Sequence, residues 1–143
     1  MLTRLLYASR SVAPIDAAFL ESIFERSRTH NLEHGITGVL CVYEGGSVFL
    51  QALEGSRAEV NALYGAIVRD PRHRDVLLLD YAEIDERLFG GWRMGSVDLG
   101  RVNLGTILRY SETATLDPYA MTGRAALALL VELTTSGAIV SHD

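Results

Sequence analysis

Lysine is absent from this chain of 143 residues, in which all thirteen basic side chains are arginines. Schiff-base chemistry, which uses a lysine amine as its nucleophile, is therefore excluded. The single cysteine, Cys41, excludes an internal disulfide, and we expect a reducing, cytoplasmic environment. No apolar run approaches the roughly 18–20 residues that cross a bilayer, so we expect no membrane association.

Positive charge is also in the minority, since 18 acidic residues leave a formal net charge of −5. This balance disfavours broad electrostatic binding to nucleic acid. The cysteine and the four histidines show none of the spacings that are typical of zinc sites, and we expect no bound metal. The sequence also lacks a GxGxxG or P-loop motif, so nucleotide binding by those routes is not supported.

Apolar periodicity in the first hundred residues predicts strands that alternate with helices. Strands are predicted over residues 3–9, 36–43, 47–53 and 76–84, with a weaker one over 92–99. Helices are predicted over about 16–32 and 56–70. Asp16 is the expected N-cap of the first helix and Gly35 its end, while Ser56 and Glu59 form a capping box at the second. Residues 44–46 (EGG) are the expected tip of a β-hairpin.

The order β-α-β-β-α-β, with a further short strand, predicts a ferredoxin-like α+β sandwich with two helices on one face of a mostly antiparallel sheet. Both hairpin strands are apolar at nearly every position, so the other face needs a cover as well. C-terminal helices are predicted over 104–110 and 122–135, with Gly137 as a C-cap, and the second is apolar nearly all round. We expect it to pack on the free sheet face or in a dimer interface, and we expect a homo-oligomer. Residues 1–100 would form the core, and 101–143 a helical extension rather than an independent domain.

Three polar residues stand where packing alone does not explain them. Tyr7 and Gln51 interrupt apolar strands, and Asn31 lies at the end of the first helix. A buried glutamine amide without partners costs roughly 1–3 kcal/mol, so Gln51 needs hydrogen bonds. The simplest interpretation is that Tyr7 and Gln51 bond each other or water, and that Asn31 only ends a helix. On the same reasoning, Trp92 and Met94 are core residues on a strand.

Taken in order, these residues and the motifs around them resemble the BLUF family of flavin-binding blue-light sensors, in its short stand-alone form. The matching stretches are residues 6–9 (LYAS), 30–31 (HN), 35–40 (GITGVL), 49–55 (FLQALEG), 70–73 (DPRH) and 89–94 (FGGWRM). Each stretch alone is a weak signal, but the ordered set covers about residues 1–100 and is highly specific. Arg93 departs from many relatives, which have serine or histidine at that place.

The resemblance implies a flavin bound non-covalently between the two helices, which would be FAD, with FMN or riboflavin as alternatives. It also implies that Tyr7 and Gln51 meet the ring from the sheet, and that Asn31, with His30 beside it, bonds a polar edge. By the same resemblance, Arg69, Asp70 and His73 would lie near the other polar edge of the ring or near the ribityl chain. Trp92 and Met94 would approach the glutamine and relay the signal.

By the same resemblance, blue light drives an electron and a proton from Tyr7 to the flavin, and Gln51 then rearranges its hydrogen bonds. The chain would be a photoreceptor and not an enzyme, signalling through an unidentified partner protein or a change of oligomer. One alternative is a light-independent ligand-binding or dimerisation module, in which Tyr7 and Gln51 are structural. Another is an acylphosphatase-like hydrolase using Arg10 with Asn31 or Asn61, although the glycine-rich loop that this chemistry needs is missing.

Overall fold

Strands and helices alternate along the chain in the computed structural model, which describes residues 1–13, 16–43 and 47–140. The strands are β1 (Leu2–Ser11), β2 (Thr37–Tyr43), β3 (Val48–Ser56), β4 (His73–Ile84), β5 (Gly95–Val97) and β6 (Ile139–Val140). The α-helices are α1 (Ala17–His34), α2 (Arg57–Arg69), α3 (Leu104–Tyr110) and α4 (Gly123–Leu133). The expected hairpin tip, residues 44–46, lies outside the described residues.

The described strands form one sheet in the order β4-β1-β3-β2-β5-β6. Neighbouring strands are antiparallel except for the parallel pair of β2 and β5. In the ladder between β1 and β3, Tyr7 lies opposite Gln51 and Arg4 lies opposite Glu54. The predicted ferredoxin-like α+β sandwich is therefore confirmed.

Side chains of the central strands alternate between two apolar cores, one on each face of the sheet. Helices α1 and α2 contribute Phe24 and Val60 to one core, where they meet Leu5 and Leu53 of the sheet. On the other face, α4 packs its buried side chains on the sheet. The members that it contributes there are Ala126, Leu129, Leu130 and Leu133. Of the two placements predicted for this apolar helix, the structure shows the one on the free sheet face.

Local signals in the sequence set the helix ends. The side chain of Asp16 accepts a hydrogen bond from the Phe19 backbone nitrogen at 2.8 Å and caps α1. At the other end Gly35 has a φ of 67°, the left-handed conformation that glycine adopts at lowest cost. The side chain of Ser56 accepts from the backbone nitrogen of Glu59 and caps α2. All of these caps were predicted.

Two predicted boundaries are wrong. Only Gly95–Val97 forms the strand that was predicted over 92–99, so Trp92 and Met94 lie in the loop before it. Here the Trp92 nitrogen donates to the Phe89 carbonyl in a turn, and the Trp92 carbonyl accepts from Gly38 of β2. Helix α4 ends at Leu133 with Thr134 as its C-cap, because three successive i→i+3 bonds tighten the chain before Gly137.

Among the described residues, every helix is too short or too polar to cross a membrane.

Candidate functional site

A cavity of about 280 Å³ opens between α1 and α2, above β1 and β3. Its volume is near the small end of the roughly 300–1,000 Å³ that is typical of ligand pockets. The polar or charged side chains that line it are Tyr7, Arg26, Ser27, His30, Asn31, Gln51, Asp70, Arg72 and His73. The apolar ones are Ile23, Leu40, Phe49, Leu63, Ile67 and Met94. The structure thus brings together seven of the residues predicted from the sequence, from four different elements and the loops beside them.

A chain of hydrogen bonds runs through Gln51 at the wall of this cavity. The Tyr7 hydroxyl donates to Gln51 Oε1, and Gln51 Nε2 donates to the Met94 sulfur at 3.3 Å. The three residues are 2%, 6% and 1% exposed, so the chain is shielded from water. Both ends of the amide are therefore engaged, and any rotation of the Gln51 amide must break both bonds.

Burial raises the pKa of Tyr7 far above its ordinary value, and the nearby Tyr64 adds to the shift. The rings of Tyr7 and Tyr64 lie 5.6 Å apart at an angle of 53°. The Tyr7 phenol is consequently protonated throughout the physiological pH range, and in this arrangement its hydroxyl donates to Gln51 Oε1. An electron can leave this ring easily only if the phenolic proton leaves too, because a charged phenol cation is strongly disfavoured in a dry site.

Asn31 joins the cavity to the loop that carries Met94. This side chain is 2% exposed, and its Nδ2 donates to the Arg93 carbonyl oxygen. Its Oδ1 lies 3.4 Å from His30 Nδ1, and the His30 ring stacks on His34 with centroids 4.3 Å apart. Asn31 is therefore more than the end of a helix, since it fixes the backbone next to Met94.

The far end of the cavity is charged. Arg72 makes a bidentate ion pair with Asp70, which lowers the Asp70 pKa to about 2. Next to this pair, His73 Nδ1 lies 3.0 Å from the Ser9 hydroxyl, and burial lowers the His73 pKa although the charge of Asp70 opposes this. The cavity thus has one end lined by an ion pair and an imidazole, and another lined by neutral amides.

Two of the residues predicted for the site lie elsewhere. Arg69 is exposed at the end of α2, where its guanidinium lies over Gly65 of the same helix. It is not among the described residues that line the cavity, and Arg72 occupies the place expected for an arginine there. Trp92 packs instead on the opposite side of the sheet, against the core beneath α4.

The slot fits a flat heteroaromatic ring that carries hydrogen-bonding atoms on its edges. Apolar side chains such as Ile23 and Leu63 line the two helix walls, while the amides of Asn31 and Gln51 offer both donors and acceptors. An isoalloxazine ring combines an apolar plane with carbonyl and N–H groups along one side, so the residues present suit a flavin.

Comparison with known proteins points the same way. Residues 2–95 match the model of the family described as BLUF, sensors of blue-light using FAD. The chain belongs to the BLUF family. It is 37% identical over 101 residues to the blue light- and temperature-regulated antirepressor BluF of Escherichia coli, which spans 69% of this chain and 24% of that protein. It is 36% identical over 88 residues to a photoactivated adenylate cyclase subunit beta of Euglena gracilis, covering 62% of this chain.

Solved BLUF structures align along nearly the whole chain. The dark-state structure of BlrB, a BLUF protein, is 30% identical with a TM-score of 0.75, covering 95% of this chain and 96% of that one. The photo-activated state of BlsA is 29% identical with a TM-score of 0.81, covering 94% and 96%. By contrast, this chain spans only about a tenth of the curated Euglena relative that it matches.

Several cavity residues were not predicted from the sequence. On α1 they are Ile23, Arg26 and Ser27, and on α2 they are Leu63 and Ile67. Their signal was helical spacing, because residues 23, 27 and 30 on α1, and 63 and 67 on α2, recur every three or four positions and so share a face. Such spacing is typical of any helix face that packs on a sheet, so it does not by itself indicate that the face lines a cavity.

Proposed function

We propose that this chain is a blue-light photoreceptor that binds flavin non-covalently in the cavity between α1 and α2. The observation that supports it best is the buried hydrogen bond between Tyr7 and Gln51 at the cavity wall, in a chain that belongs to the BLUF family. The residues that would hold the flavin are Tyr7, His30, Asn31, Gln51, Asp70, Arg72 and His73.

When bound, the flavin supplies a light-excited oxidant strong enough to take an electron from a phenol. Tyr7 is the donor, because it is the phenol whose hydroxyl faces Gln51 inside the cavity. Its raised pKa keeps the proton on Oη before illumination, so electron and proton leave together. The proton would move from Oη along the hydrogen bond toward Gln51 Oε1 and return to Oη when the electron returns, so that Tyr7 ends as a neutral phenol.

Gln51 turns this brief transfer into a lasting change of hydrogen bonds. Its amide offers a donor and an acceptor on one rotatable group, so it can satisfy its surroundings in two different patterns. A change of pattern breaks the bond from Gln51 Nε2 to the Met94 sulfur. We propose Met94 as the first relay, and Trp92, two residues earlier, as the second.

Spectroscopy on the purified protein reconstituted with FAD tests this function. We expect yellow protein whose flavin absorption shifts slightly to the red under blue light and returns in the dark. Tyr7→Phe and Gln51→Ala should keep the colour and lose the shift, whereas Tyr81→Phe, on an exposed part of β4, should behave as the native chain. Colourless protein, or an undiminished shift in Tyr7→Phe, would contradict the proposal.

The hydrolase alternative gains no support from the site. Arg10 is the phosphate ligand that this alternative expects. Its Cζ lies 4.1 Å from the centroid of the Tyr119 ring, and its Nε lies 3.7 Å from Asp75 Oδ2. It is not among the described residues that line the cavity. The other alternative is a light-independent ligand-binding or dimerisation module. The same spectroscopy tests it, because such a module would show no photoresponse in the native chain or in any variant.

Finer assignments are part of the proposal. We propose FAD as the flavin, a cytoplasmic location in which the buried Cys41 thiol stays reduced, and a receptor that is not itself an enzyme.

Residues 101–143 would pass the signal to a downstream protein or a second copy of this chain. The buried side chains of α4 already pack on the sheet. On α3, by contrast, Leu104 and Leu108 lie one turn apart and are 63% and 51% exposed, so they could contact a partner. Light scattering in the dark and in the light tests self-association, and a monomer in both conditions would leave a separate protein as the receiver.

A further inference from the structure

One loop connects the two faces of the sheet, namely residues 88–94, which we call the crossing segment. Near its start Phe89 is fully buried in the core under α4. At its end Met94 is 1% exposed in the core under α1 and α2, against Gln51. Between them the Trp92 carbonyl accepts a hydrogen bond from the Gly38 nitrogen. A movement of Met94 can therefore reach the C-terminal helices through this segment.

A buried carboxylate anchors the start of the crossing segment. Glu54 is 0% exposed, and its two oxygens accept hydrogen bonds from the backbone nitrogens of Leu88 at 2.9 Å and Phe89 at 2.7 Å. Its counter-charge is Arg4, whose Nε donates to Glu54 Oε2 at 2.9 Å. Hydrogen bonds to an ionised group are roughly twice as strong as neutral ones, so this anchor is firm.

The position of Glu54 links this anchor to the photoactive residues. It follows Gln51 by three residues on β3, and since strand side chains alternate, it points to the opposite face of the sheet. The same cross-strand ladder pairs Tyr7 with Gln51 and Arg4 with Glu54. One strand therefore holds Met94 through Gln51 on one face, and holds the start of the same segment through Glu54 on the other.

We propose that Glu54 is a positioning residue of the photocycle, which fixes the crossing segment so that Met94 rests against Gln51. This inference depends on the proposed function. A glutamine at position 54 has the same shape but offers one acceptor oxygen instead of two, so one backbone bond of the segment is lost with the ion pair. The freed segment lets Met94 leave Gln51 more readily, and the barrier between the two hydrogen-bond patterns falls.

Glu54→Gln tests this with two readouts, and Glu83→Gln serves as the control. Glu83 is also a strand glutamate paired with an arginine, Arg57, but its side chain is 62% exposed. The first readout is the methyl NMR resonance of Met94, assigned with Met94→Leu, in the dark. The second is the dark recovery of the flavin absorption after blue light. We expect Glu54→Gln to move the resonance and to speed recovery about threefold to tenfold, as loss of a hydrogen bond to a charged group allows.

The outcomes separate a positioning role from a structural one. A lower melting temperature with an unchanged Met94 resonance and recovery rate would overturn the proposal, because a structural role predicts only the first. If the native chain shows no photoresponse, the proposed function fails, yet the Met94 resonance still decides whether Glu54 positions this residue. The control should move neither readout.

Hydrogen exchange of the native chain provides a test should Glu54→Gln fail to fold. The Leu88 and Phe89 amides are bonded to Glu54, whereas Gly90 and Gly91 that follow are exposed. We expect the first two amides to exchange at least about a hundredfold more slowly than the glycine amides. Equal exchange rates would mean that the carboxylate does not hold the segment, and the proposal would be wrong.

Discussion

A double-mutant cycle on Tyr7 and Gln51 measures the bond on which the photochemistry depends, and it needs no flavin. Tyr7→Phe removes a buried hydroxyl and leaves Gln51 Oε1 without its donor, while Gln51→Leu leaves the Tyr7 hydroxyl without its acceptor. With both residues at most 6% exposed, water compensates only a small part of the lost hydrogen bond. Each single change should therefore lower the free energy of unfolding by about 1–3 kcal/mol.

The double variant should cost less than the sum of the two single changes. Replacing both partners by apolar groups of similar shape leaves no unpaired group between them, so we expect a coupling energy of about 1–2 kcal/mol. Urea titration of the flavin-free protein gives these values, provided that the m-value is unchanged. Tyr64→Phe, which keeps the ring that packs against Tyr7 and the core around it, should stay within about 0.5 kcal/mol of the native chain. Strict additivity would show that the two side chains are not bonded.

Crowding and charge offer two further tests. Gly38→Ala would place a carbon 2.0 Å from the Ala52 carbonyl oxygen and should cost about 3 kcal/mol of unfolding free energy in urea, whereas Gly91→Ala, with nothing within 4 Å, should cost little. The Asp70 pKa is lowered to about 2 by Arg72, so its contribution to stability is present above the ordinary carboxyl pKa of 3.8 and lost as the pH falls toward 2. Asp70→Asn should flatten the fall of the melting temperature over that range. A native-like Gly38→Ala or an unflattened curve would contradict these arguments.

The parts of the fold that the sequence predicted are those with local causes. Asp16, Gly35 and Ser56 act within three or four residues of their own positions, so their types reveal the helix ends. Strand alternation is local too, since it places Tyr7 on one face with Leu5 and Gln51 on one face with Leu53, as the structure has them. The hydrogen bond between Tyr7 and Gln51, one of the partners expected for these two polar side chains in apolar strands, is present in the structure.

The parts that could not be predicted depend on contacts between distant residues. The weak strand predicted over 92–99 included Trp92, but the Trp92 carbonyl accepts a hydrogen bond from Gly38, and Glu54 holds the backbone before it. Neither hydrogen bond produces a periodic pattern in the sequence from which it could be predicted. Similarly, Arg69 and Arg72 are both arginines beside Asp70, and only the end of α2 at Arg69 decides that Arg72 reaches the cavity.

The spacing of three residues between Gln51 and Glu54 has a structural consequence beyond this site. Two residues that are an odd number of positions apart on a strand point to opposite faces of the sheet. Gln51 and Glu54 therefore lie in different cores and do not contact each other. On β1 the same spacing separates Arg4 from Tyr7, which puts the charged pair under α4 and the neutral pair under the cavity. The charged pair is thus kept away from the phenol, whose electron would be held more loosely beside a carboxylate. Adding a second acid one position earlier, as in Leu53→Glu, would bury an unpaired charge on the cavity side and should unfold the sheet there.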